Sequence, residues 1–222
     1  MAISDNLMSI KDGISEDVTL VAVSKYHPVA ELMEVYDAGQ RDFGENIVQE
    51  LRQKQEVMPA DVRWHFIGHL QTNKVKYIAP YVYLIHSIDT LRLLQEVNKQ
   101  ALKNNRVIDC LLQIHVAEEE TKFGFTINEC RQMLEAGEWR QCQGVRLCGL
   151  MCMASNTPDE KRVHSDFHRV YDFFHEVKAA YFADKPEFAI RSYGMSHDWH
   201  IALEEGSNMI RVGTAIFGPR EY

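Results

Sequence analysis

Residues 19–28 read Thr-Leu-Val-Ala-Val-Ser-Lys-Tyr-His-Pro. Small and β-branched apolar residues in an unbroken run predict a strand buried on both faces, as in a parallel sheet covered by helices. The run ends at Ser24-Lys25 and is broken by Pro28. A lysine at such a tip must reach solvent or find a partner, because burying an unpaired ammonium is costly.

Outward from this stretch the pattern repeats. With 18–25 as the first, strand-like runs follow at 42–46, 63–68, 83–88, 109–116, 145–153, 188–193 and 209–217. The run at 42–46 (DFGEN) is the weakest of them. Between the runs the apolar period becomes helical. Val29, Leu32, Met33 and Tyr36 form one stripe, and Leu91, Leu94, Val97 and Ala101 another. Thr126 with Glu129 has the spacing of a capping box, and Gly137 closes that helix. Thr157-Pro158-Asp159-Glu160 predicts a helix start capped by Thr157, and Ser196 is expected to cap a shorter helix ending at Gly206. Ile3, Leu7, Ile10 and Ile14 predict an extra helix before the first strand.

Strands alternating with helices predict an α/β protein with a parallel sheet. Eight of them favour one closed (β/α)8 TIM-type barrel over residues 1–222, compact beside the roughly 250 residues typical of that fold. The weak second run keeps an open doubly wound sheet as the alternative.

Composition removes several function classes. A net charge of −8 gives no electrostatic footprint for a nucleic acid backbone. No apolar run has the length of a membrane span, and the first residues lack the pattern of a secretory signal. The five cysteines include no Cys-x-x-Cys pair, so reduced, buried thiols and a cytoplasmic location are expected. Cys148 and Cys152 are four residues apart on a predicted strand, about 13 Å, too far for one metal ion. His65 and His69 fall under the same objection. His164, His168 and His175 are read as the polar flank of a helix, since the Glu of a His-Glu-x-x-His motif is missing.

In a barrel, function collects at the C-terminal strand ends. Those ends here include Lys25, Asn46, Tyr193-Gly194-Met195-Ser196 and Arg211 to Thr214. The turns after strands seven and eight commonly hold a phosphate on backbone N–H groups. Ser196, Gly213 and Thr214 have the chemistry for such a cradle; the bland alternative is two ordinary glycine turns. Barrel closure sets strand eight beside strand one, which brings Lys25 next to Arg211. A lysine near another cation in a partly dry site becomes a nucleophilic amine. A phosphorylated aldehyde that takes such a lysine is pyridoxal 5′-phosphate (PLP).

The segments VAVSKYHP, FGENIVQEL, RWHFIGHLQTNK, IHSID, ETKFGF, YGMSHD and MIRVGTAIFG, in this order and spacing, resemble the pyridoxal phosphate homeostasis protein family. These are YggS-type barrels similar to the N-terminal domain of alanine racemase. The resemblance runs from about residue 18 onward, and it implies PLP as cofactor. By it, Lys25 corresponds to the Schiff-base lysine and Ser196, Gly213 and Thr214 to the phosphate cradle. Arg211 corresponds to the residue facing the pyridine nitrogen, and Asn46 lies near the ring. Tyr26-His27 and His197 depart from the usual residues without touching these positions. Lys122 reads as solvated surface or as a transient cofactor contact, and Gln71 to Lys74 as a helix cap or a loop contacting ligand, the cap being the simpler use.

The implied function is to hold PLP and release it, with apo PLP-dependent enzymes as the receiving partners and a monomer as the expected state. A racemase-like enzyme is one rival. It would need a second base, which in racemases comes from an added domain that this sequence is not expected to contain. A Schiff-base aldolase is the other rival, weakened because no acid–base carboxylate pair is evident near Lys25.

Overall fold

The computed structural model describes residues 2–117 and 123–219. Lys122 and the charged loop around it lie outside them. A helix, α1 (Ile3–Asp12), precedes β1 (Thr19–Val23). There follow α2 (Val29–Asp37), β2 (Asp42–Glu45), α3 (Val48–Val57) and β3 (Arg63–Phe66). A 3₁₀ turn (Thr72–Lys74) leads into α4 (Val75–Ile78), β4 (Leu84–Ile88), α5 (Leu91–Lys103) and β5 (Ile108–His115). The second half is α6 (Ile127–Ala136), β6 (Val145–Met153), α7 (Glu160–Tyr181), β7 (Ile190–Ser192), α8 (Trp199–Glu204), β8 (Met209–Val212) and α9 (Thr214–Phe217).

The eight strands pair in parallel and in sequence order, and β8 returns to β1. The barrel is closed, and the open-sheet alternative falls. Closure sets Val21 opposite Arg211 and Ala22 opposite Val212. Two apolar regions follow from the pleat, because alternate side chains point in and out. Val21, Leu84, Leu111, Met151 and Met209 pack inside the barrel. The outward residues join the apolar stripes of the helices in one continuous shell. α1 belongs to this shell: Leu7 and Ile10 are buried, and the Asn6 amide donates to Ile216 O of α9 at 3.0 Å.

Several local expectations change. The last run stops at Val212, and Thr214–Phe217 is a helical turn. A four-residue apolar run does not distinguish strand from helix by period. α7 begins at Glu160, capped by the Asp159 carboxylate on Lys161 N, two residues later than a Thr157 cap implies. α8 is preceded by Asp198, and Ser196 caps nothing there. Gln71 occupies the cap position of the 3₁₀ turn but makes no side-chain capping bond. The Thr126/Glu129 capping box forms as expected, with Gly137 in the left-handed region at φ 77°. All five cysteines are buried and free, and no metal-binding cluster occurs among the described residues. His164 and His168 instead each make a 2.8 Å hydrogen bond to the Glu205 carboxylate. Among the described residues no helix is long and apolar enough to cross a membrane.

Candidate functional site

At the C-terminal mouth of the barrel lies a pocket of about 270 Å³. This is just under the small end, roughly 300 Å³, of the range usual for ligand sites. Lys25, Asn46, Ser196, Arg211, Gly213 and Thr214 all line it. Val23, Ile67, Met153 and Met195 supply an apolar wall, and His197 stands at the edge with its side chain 57% exposed. Sequence reasoning had no signal for Val23 or Ile67 as lining residues, since they look like ordinary strand-end apolar positions.

Lys25 sits in a turn closed by His27 N–H donating to Ser24 O at 3.1 Å. Tyr26 follows in the left-handed region at φ 67°, a conformation that costs a tyrosine roughly 1–2 kcal/mol. α3 holds that turn from below. Lys54 Nζ donates to Ser24 O at 2.6 Å, and Tyr26 N–H donates to Glu50 Oε1 at 2.6 Å. Lys54 also reaches Glu45 Oε1 at 2.7 Å and Glu50 Oε1 at 2.6 Å, while Ser24 Oγ donates to Glu45 Oε1 at 2.7 Å. The deeply buried lysine near the strand tip is therefore Lys54, whereas Lys25 is half-buried and opens on the pocket. Burial pushes the Glu45 carboxyl up to about 7, against the pull of Lys54 and Ser24. Its second oxygen, Oε2, is buried without a hydrogen-bond partner.

Arg211 is held in its plane by three bonds. Nη1 donates to Ser192 O at 2.6 Å and Ser192 Oγ at 2.7 Å, and Nη2 donates to Cys152 O at 2.9 Å. The guanidinium is 4% exposed in the whole residue, yet its free edge is on the pocket.

The turn after β7 is built on Gly194, at φ 97°, where a Cβ would lie 2.7 Å from Ala202 Cβ. Asp198 Oδ1 accepts from Met195 N–H at 2.5 Å and fixes the next residues. Ser196 Oγ is thereby aimed across at β8, accepting from Gly213 N–H at 3.2 Å and Ala215 N–H at 3.4 Å. Backbone donors and two hydroxyls thus converge on one side of the pocket. On the other, Asn46 Oδ1 is buried with no hydrogen-bond partner. Gly68 lets the chain pass over Asn46: a Cβ there would be 2.3 Å from Asn46 O.

The family model for the alanine racemase N-terminal domain matches residues 1–221. Pyridoxal phosphate homeostasis proteins match over most of their length: that of Aquifex aeolicus is 38% identical, over 91% of this chain and 87% of the relative. That of Escherichia coli K12 is 36% identical over 99% and 97%. The chain belongs to the pyridoxal phosphate homeostasis protein family. PipY of Synechococcus elongatus, solved with PLP bound, superposes with a TM-score of 0.88 at 34% identity, over 97% of this chain and 100% of that one. Alanine racemase of Clostridium difficile shares the fold at a TM-score of 0.79, at 18% identity and over 57% of its own length.

Proposed function

We propose that this member of the family binds PLP in the pocket at the barrel mouth, with Lys25 as its covalent anchor, and that it holds and releases the cofactor without significant amino-acid turnover. What carries the reading is the convergence of an amine, a guanidinium and a set of N–H and O–H donors on one small pocket. Each matches one part of PLP: an aldehyde for Lys25, a ring nitrogen for Arg211, a phosphate for Ser196, Gly213 and Thr214. The orphaned Asn46 Oδ1 is a further polar atom that a ligand would satisfy. The PLP-bound PipY structure supports the same ligand.

PLP would supply an electrophilic aldehyde at the pocket, with Lys25 as the amine placed to hold it reversibly. The residues of the chain then do three things. Ser196, Thr214 and the adjacent backbone N–H groups bind the anion. Arg211, which can only donate, keeps a proton off the ring nitrogen. That weakens the ring as an electron sink, in keeping with a carrier. The pocket's apolar wall limits water at Lys25.

Borohydride reduction of the PLP-loaded protein, followed by peptide mapping, is expected to place the pyridoxyl group on Lys25. A label wholly on Lys74, Lys76 or Lys122 would overturn the assignment.

A further inference from the structure

A file of polar side chains crosses the inside of the barrel, where apolar layers are usual. From the pocket inward, Arg211 Nη1 donates to Ser192 Oγ at 2.7 Å. Ser192 Oγ is 3.0 Å from His86 Nδ1. His86 Nε2 is 2.9 Å from His65 Nδ1, and His65 Nε2 is 2.9 Å from Asp42 Oδ1. His65, His86 and Ser192 are wholly buried. Asp42 closes the file at the opposite mouth, where Arg63 Nε donates to its Oδ1 at 2.8 Å and a second cavity of about 270 Å³ opens.

The two ends fix the direction of the chain. A guanidinium has only donors and a carboxylate only acceptors. Ser192 Oγ, accepting from Arg211, satisfies its own hydrogen by donating to His86 Nδ1. His86 then carries its hydrogen on Nε2 and gives it to His65 Nδ1. His65 likewise carries its hydrogen on Nε2 and gives it to Asp42. In this arrangement each ring nitrogen and the Ser192 hydroxyl hydrogen has a partner, and no third charge is buried. The reverse arrangement puts a second proton on His65 and leaves the Ser192 hydroxyl hydrogen without an acceptor, at a cost of roughly 1–3 kcal/mol.

We propose that His65 and His86 are positioning residues of the cofactor pocket: they carry a one-way hydrogen-bond chain from Asp42 that turns a Ser192 lone pair onto Arg211 and locks the guanidinium edge presented to the ring nitrogen. This deepens the PLP reading and rests on it. The chain lies on β2, β3, β4, β7 and β8, so five strands of the barrel report on one guanidinium.

The first test needs no ligand. In ¹⁵N-histidine-labelled, ligand-free protein at neutral pH, long-range ¹H–¹⁵N spectra are expected to show both His65 and His86 as neutral, with hydrogen on Nε2. An imidazolium at His65, or hydrogen on Nδ1 of either ring, overturns the chain. The second test separates positioning from packing. His86→Gln keeps an acceptor toward Ser192 and a donor toward His65, whereas His86→Leu keeps neither. PLP titration is expected to give about tenfold weaker binding for His86→Leu and a value within about threefold of wild type for His86→Gln. Ser192→Ala, which deletes only one hydroxyl, is expected to match His86→Leu and serves if that variant does not fold. Equal losses for the Gln and Leu variants, or no loss with Ser192→Ala, overturn the proposal. If wild type takes up no PLP, the PLP reading itself has failed, and the histidine spectra still decide the chain.

Discussion

Lys54 of α3 donates to the carbonyl oxygen of Ser24 over 2.6 Å, gripping the chain just before Lys25. The same ammonium lies 2.7 Å from Glu45 Oε1 and 2.6 Å from Glu50 Oε1, so one side chain ties a buried charge cluster to the placement of the candidate anchor. Lys54→Met is expected to do two things. At pH 8 it leaves the buried Glu45 without its cationic partner, so the carboxyl must take up a proton or stay charged without compensation, and urea unfolding should show a loss of about 3–5 kcal/mol. At pH 5, where Glu45 is protonated, the loss should shrink. Lys54→Met/Glu45→Gln should recover much of the stability but not the PLP affinity, because the grip on Ser24 stays broken. Full recovery of PLP affinity by the double variant would show that the Lys54 bond to Ser24 does not position Lys25, leaving the Glu50 bond to Tyr26 N–H as the hold of α3 on this turn.

Glu45 also gives the stability a definite pH dependence. Its carboxyl is raised by burial from 4.5 to about 7 in the folded chain. Between these values the folded state holds a proton that the unfolded state has released, so stability falls as pH rises from about 4.5 to 7, and levels off above. The contribution is about 3 kcal/mol at full ionisation. The difference between wild type and Glu45→Gln in urea midpoints, followed from pH 5 to 8, is expected to change across this window. A flat difference would mean that Lys54 and Ser24 keep Glu45 ionised throughout.

The fold was legible because each strand announces itself locally, by apolar runs bounded by Gly, Pro or polar residues. Lys25, Ser196 and Arg211 were legible for a related reason, since barrel topology converts a strand end into a place at the mouth. The Lys54 cluster was not. Its partners Ser24 and Glu45 are 30 and 9 residues away, and within α3 a lysine four residues after Glu50 looks like a surface pair. The His65–His86 file was hidden likewise: alternate positions of separate strands give no spacing in sequence, and only closure of the barrel stacks them. At Thr214–Phe217 the β-branched and apolar residues suited strand or helix equally, and Gly213 ended the strand.

Ser196 presents its oxygen to two backbone N–H groups, which leaves its hydroxyl hydrogen to donate to an anion in the pocket. Ser196→Ala and Thr214→Ala are each expected to weaken PLP binding. A lost bond to a charged group is worth roughly 1.5–3 kcal/mol, or about one to two decades in affinity. Pyridoxal, which lacks the phosphate, is expected to bind both variants as it binds wild type. Titrating the two ligands side by side gives the answer. Equal losses for both ligands would make these residues supports of the turn and not holders of phosphate.

Racemisation requires proton exchange on both faces of a bound amino acid, and so two groups able to move a proton. With Lys25 as the proposed anchor, its amine would be one such group once released from the cofactor. Among the described residues lining the pocket there is no tyrosine or cysteine, and the other titratable side chain is His197. His197 is over half exposed and is 3.4 Å from Asp198, which leaves it poorly placed to act in a dry site. In the proposed pose Arg211 would keep a proton off the ring nitrogen, which would leave a carbanion weakly stabilised. The loaded protein is therefore expected to show negligible racemase, decarboxylase or transaminase turnover across a panel of common amino acids, assayed by chiral and mass analysis. The same preparation is expected to restore activity to an apo PLP-dependent enzyme. Turnover in the ordinary range of about 1–10³ per second on any amino acid would sink the carrier reading. Were that turnover also lost in His197→Ala, His197 would be the second base. Reactivation no faster than by free PLP at the same concentration would remove delivery from the proposal and leave storage.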